Sequence, residues 1–136
     1  MMKYICQLVV ILTFSLPMNS NAQSEGEAFV NLINDYAECY SFWEISKMGA
    51  PDADKKYIDS IEKNQIYILN VVTSLQGELG IKEESFLASV KNMMAMQMKS
   101  IDRDMANFSI LSNKYIDFCL NLRKNPEQRL EYWLNE

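Results

Sequence analysis

Apolar residues recur along most of the chain at alternating spacings of three and four, the signature of helices that bury one side. Phe29, Ile33, Tyr36, Tyr40 and Trp43 predict a helix from about Ser24 to Met48. Gly49 suits the position after its last turn, Pro51 prevents continuation, and Asp52 or a neighbour is placed to cap the second helix. The clearest stripe is Ile58, Ile61, Gln65, Ile68, Val72, Leu75 and Leu79, a seam suited to knobs-into-holes packing. Gly77 weakens the end of that helix and Gly80 stops it. A third helix is expected from near Lys82, with Glu83 and Glu84 in its positive first turn. Its stripe is Leu87, Val90, Met94, Met98, Ile101 and Met105, with Phe108 just beyond. Asn107 is expected to end it and Ser109 to cap a fourth helix carrying Leu111, Tyr115, Phe118 and Leu122. Asn125-Pro126-Glu127 is a restart signal of cap, proline and acid, and the last piece presents Leu130, Trp133 and Leu134 on one side. No stretch alternates with period two long enough to be a strand. The pattern predicts an all-α fold: a bundle of three long helices, each about 36–42 Å at 1.5 Å per residue, plus two short C-terminal helices.

The N-terminal segment breaks this amphipathic pattern. Lys3 is a short positive region, Ile5 to Leu16 is nearly continuous apolar sequence, and Pro17 breaks any helix. Ser20-Asn21-Ala22 then offers small residues where a signal peptidase reads them. Residues 1–22 therefore read as a cleaved signal peptide, too short to be a permanent span at roughly 20 apolar residues. Residues 23–136 read as a single exported domain with no later membrane span, periplasmic or extracellular.

Export changes the meaning of the cysteines. Cys6 leaves with the signal, and Cys39 and Cys119 remain, an even number in an oxidising compartment. Cys39 shares a helix face with Tyr36 and Trp43, and Cys119 shares one with Tyr115 and Leu122, so both thiols point inward. A disulfide closing a loop of about 80 residues contributes roughly 4–5 kcal/mol in the chain-entropy treatment. Two buried free thiols or a redox pair are the competing readings, though a redox pair would bring a Cys-x-x-Cys motif that is missing.

Composition narrows the chemistry. Four Gly and three Pro in 136 residues suit long helices, and the absence of His removes Ser-His-Asp and Cys-His triads, usual zinc sites and Glu-x-x-His di-iron sites. A net charge of -5 lacks the basic footprint of a nucleic-acid binder. Met93, Met94, Met96 and Met98 have the soft thioether chemistry of Cu(I) sites, yet a helix scatters them and only Met94 and Met98 share a face; core packing is the preferred reading, with no metal or cofactor. Asp102 and Asp104 flank Arg103, and Asp35 and Glu38 share a face. These, like Glu62 and Lys63 beside Lys55 and Lys56, read as solvated faces with local ion pairs rather than a hydrolase's paired acids. Tyr36, Tyr40 and Trp43 form, with a partly exposed Phe42, the densest aromatic cluster. Core packing is its plain reading; a pocket for a small apolar ligand between helices is the sharper one. Asn107-Phe108-Ser109 matches a glycosylation acceptor tripeptide.

The stretch FSILSNKYIDFCLNLRKNPEQRLEYW, Phe108 to Trp133, resembles the C-terminal block of small exported bacterial helical proteins. Cys39-Tyr40-Ser41-Phe42-Trp43 is similar to their N-terminal block of cysteine followed by aromatics. The resemblance implies a bacterial, periplasmic setting and a disulfide between the two blocks; it implies no activity and no functional residue. The reading from sequence is a non-enzymatic binding or interaction protein of the envelope, whose partner is another envelope protein. The alternative is a carrier of a small apolar ligand, ahead of a hydrolase or a Met-based copper binder.

Overall fold

The computed structural model describes residues 24–51 and 54–136, and every element in it is helical. α1 spans Glu25–Gly49, α2 Lys55–Leu79, α3 Glu83–Ser100, α4 Phe108–Lys124 and α5 Pro126–Asn135, with a 3-10 turn at Met105–Asn107. The expected signal peptide, Cys6 and Asp52 lie outside the described residues.

Local chemistry sets the boundaries. Ser24 and Glu27 form a reciprocal capping box at the start of α1, each side chain 3.2 Å from the other's backbone N–H. Asp54, a neighbour of Asp52, caps α2 by accepting from the Tyr57 N–H at 3.0 Å. Gly80, with φ of 67°, turns the chain out of α2 as expected. Asn125 precedes Pro126 as expected but makes no side-chain cap bond.

α1 is the axis. It packs against α2, α3, α4 and α5, while the outer helices meet one another far less. Its buried residues therefore run round the helix: Leu32, Tyr36, Cys39 and Trp43 on one side, Ala37, Ser41 and Ile45 on another, Asp35 and Phe42 between. A helix with one neighbour needs one apolar stripe; a central helix is buried all round. Phe42, expected to be partly exposed, is 1% exposed, stacked on Phe108 at 6.0 Å and tilted against Tyr115 at 5.7 Å. Small residues admit α3 closely: the Ser41 hydroxyl lies 2.7 Å from the Ala37 carbonyl and 2.9 Å from that of Val90 on α3.

α2 follows its seam, with Ile61, Gln65, Ile68 and Val72 buried along α1. Gln65 donates to Glu44 at 2.6 Å, and Lys47 pairs with Glu62 at 2.9 Å on the rim. On α3 the inward register is Phe86, Val90 and Gln97; Leu87 is 53% exposed instead of core. Phe86 packs edge-on to Tyr40 with centroids 6.1 Å apart, and the larger aromatic surface takes the buried position. α3 also stops at Ser100, before the expected boundary at Asn107. Asp102 and Arg103 adopt left-handed φ of 56° and 57°, and the Arg103 N–H bonds the Met98 carbonyl at 2.8 Å. This turn buries Ile101 completely and returns Met105 and Phe108 over α1. Consequently Asn107, not Ser109, immediately precedes α4.

α4 runs antiparallel to α1, and the Cys39–Cys119 disulfide joins them with Cα atoms 5.5 Å apart. No helix of the described residues is long and apolar enough to cross a membrane.

Candidate functional site

Asp35 follows Asn34 on α1, beside the buried Leu32, Ile33 and Tyr36, and is itself 6% exposed. A carboxylate at such a depth requires partners, and α5 supplies them. Arg129 donates through Nε to Oδ2 at 2.7 Å and through Nη2 to Oδ1 at 3.2 Å, a fork matched to both oxygens. Trp133, one turn further on, donates from its indole N–H to Oδ2 at 2.6 Å. The Arg129 guanidinium lies 4.4 Å from the Tyr132 ring, 4.6 Å from the Trp133 ring and 5.3 Å from the Phe118 ring. The bonded carboxylate raises the Arg129 pKa above its ordinary value, outweighing the opposite effect of burial. The expectation of a solvated Asp35 is thus corrected: its partner is 94 residues away, and burial between helices outweighs the local pattern.

The clasp holds Arg129 at the junction of α4 and α5. A cleft of about 260 Å³ opens there, lined by Phe118, Asn121, Leu122, Asn125, Gln128, Arg129 and Tyr132. Its apolar floor is Phe118 and Leu122, and Tyr132 is 45% exposed. Asn121, Asn125 and Gln128 contribute carboxamides, each both donor and acceptor. Arg129, already bonded to Asp35, brings a neutralised cation. These seven side chains can bind and orient an apolar group with amide neighbours; they include no Ser, Thr, Cys or Lys and no carboxylate.

The aromatic cluster expected from sequence divides. Tyr36 and Trp43 face a space of about 10 Å³ beside the disulfide, at the junction of α1, α2 and α4, whereas Tyr40 turns to Phe86. Of the four clustered methionines, Met94 and Met98 pack against the core and Met96 is 65% exposed. Among the described residues no group of three or more His, Cys, Asp or Glu side chains is placed to hold a metal ion. Asn107 donates its side-chain N–H to the Ile101 carbonyl at 3.3 Å, at the start of α4.

Sequence reading missed the clasp and the cleft. One signal pointed to the clasp: Arg129 and Trp133 lie on one face at i, i+4. The chain matches no family model, no curated protein and no solved structure.

Proposed function

We propose that the chain is an exported, non-enzymatic interaction protein of the bacterial envelope, and that the α4–α5 cleft receives an anchoring side chain of a partner protein. The observation that carries this reading is the cleft's size together with its lining. At about 260 Å³ it is smaller than the roughly 300–1,000 Å³ of ordinary small-molecule sites. It suits one large apolar side chain, seated on Phe118 and Leu122 against Tyr132. The carboxamides of Asn121, Asn125 and Gln128 then suit the backbone amides that flank such an anchor. A pocket of this kind at the centre of an interface is where binding energy concentrates. The disulfide supports an oxidising compartment, and the signal-like segment supports export.

The test compares quantitative capture from envelope extract by the wild-type protein, Tyr132→Ala and Ile66→Ala. Ile66, 59% exposed on α2, lies outside the cleft. A partner retained by wild type and Ile66→Ala and lost by at least tenfold with Tyr132→Ala supports the reading. Equal capture by all three would refute it.

A further inference from the structure

A cavity of about 360 Å³, within the range of small-molecule sites, lies where α1 ends, α2 begins and the 3-10 turn leads into α4. Met105 forms its wall on the side of the turn. It comes that close because residue 49 is glycine: a Cβ there would lie 2.6 Å from the Met105 methyl carbon. Tyr57, 37% exposed, and Phe108 add aromatic surface.

The polar groups around this space are mainly acceptors. The Ala50 N–H is committed to the Lys47 carbonyl at 3.3 Å, and the Asp54 N–H to the Pro51 carbonyl at 3.0 Å. The Phe108 N–H bonds the Met105 carbonyl, and Pro51 has no N–H to give. The Ser46 hydroxyl, 2% exposed, donates to the Phe42 carbonyl at 2.8 Å, which leaves its oxygen able to accept. Asp54 uses one carboxylate oxygen on the Tyr57 N–H at 3.0 Å and keeps the other; it forms no ion pair among the described residues. The C-terminal end of α1 adds the negative pole of its dipole, and the described lining contains no Lys or Arg.

A carboxylate, a helix C-terminus and two aromatic rings fit a cation that carries N–H donors and an apolar stem. An anion would meet Asp54 and the dipole with the wrong sign. A bare divalent ion would find one carboxylate where it needs several oxygen ligands. We infer that this cavity is a binding site for a small organic cation, an alkylammonium held by Asp54 and the acceptors at the end of α1, with its stem against Met105, Tyr57 and Phe108. The site is separate from the α4–α5 cleft, and neither reading depends on the other.

The test is a titration of the isotope-labelled, disulfide-bonded protein with n-butylammonium at constant ionic strength, followed through backbone amide resonances. Saturable shifts should centre on Gly49, Ala50, Tyr57 and Met105, and butyrate should give none there. Asp54→Asn keeps a capping residue for α2 and should weaken binding by roughly fivefold or more. Asp59→Asn, whose carboxylate pairs with Lys55 outside the cavity, should leave binding unchanged. Butyltrimethylammonium, a cation of similar stem without N–H groups, should bind more weakly than butylammonium. Shifts that do not saturate, an equal response to butyrate, full binding by Asp54→Asn, or equal binding of the trimethylated cation would overturn the site as described.

Discussion

Asp35→Asn removes the charge from the clasp while keeping the shape of the side chain. Asp35 accepts three hydrogen bonds, two from Arg129 and one from Trp133, so the substitution weakens all three and leaves an amide N–H facing a donor. Breaking a fully buried pair costs about 3–5 kcal/mol, and an exposed pair contributes about 0–1. The two side chains are 8% and 27% exposed, so the pair falls between these limits and the expected loss is about 2–3 kcal/mol. That corresponds to a fall in unfolding temperature of roughly 8–15 °C. Arg129→Met should cost more, about 3 kcal/mol, because it strands the deeper charge. The double variant should be little worse than Arg129→Met alone, giving a coupling of about 1.5–2.5 kcal/mol. Urea unfolding followed by tryptophan fluorescence measures each variant, with the slope against urea unchanged. A cost within about 0.5 kcal/mol for Asp35→Asn, or strict additivity in the cycle, would refute a buried clasp.

Other substitutions probe the register, the turn and the covalent link. Ile68→Ala should cost about 2–5 kcal/mol and Leu87→Ala no more than about 0.5 by the same unfolding assay; reversed costs would mean the buried faces of α2 and α3 are wrongly assigned. Arg103→Gly should stabilise by about 0.5–1 kcal/mol by relieving a left-handed backbone, and a loss of stability would show that the arginine side chain matters more than the turn. Burial holds the Tyr36, Tyr40 and Tyr115 phenols above the ordinary 10.0, so the stability they contribute is whole below about pH 10 and is lost as pH rises beyond it. Absorbance titration of tyrosinate should show these three ionising after the exposed tyrosines, and a single normal transition would contradict their burial. Protein recovered from the envelope should expose no titratable thiol on unfolding until reductant is added. A single free thiol would mean that Cys6 has been retained, and two would mean that the bond between Cys39 and Cys119 does not form.

The all-α architecture and the disulfide were legible because helical periodicity and cysteine phase are local properties. The centre of the α2 seam, Ile61, Gln65, Ile68 and Val72, was legible for the same reason, since α1 is its main neighbour, whereas the buried Asn64 and Gln76 lie outside the apolar stripe. α1 was read incompletely, since a helix enclosed by four others has no single face, and Phe42 and Asp35 fell outside the stripe that periodicity selected. The end of α3 was hidden because Asp102 and Arg103 carry neither glycine nor proline at the left-handed turn. Burial of Ile101 and the docking of Met105 and Phe108 on α1 favour that turn, and these are tertiary effects. The cleft was out of reach for a similar reason. One of its lining residues, Arg129, is held by Asp35 across 94 residues, and pairwise spacing within α4 or α5 cannot reveal that contact.

The assignment of the α4–α5 cleft as the partner site is tested most directly by photo-crosslinking in the cells that make the protein. A photo-reactive amino acid replaces Gln128 at the cleft or, separately, Ile66 on α2. The expected result is a discrete, disulfide-independent adduct from position 128 that position 66 does not give, and that disappears when Tyr132→Ala is added. Adducts from position 66 alone, or equal adducts from both positions, would contradict the cleft as the site of binding.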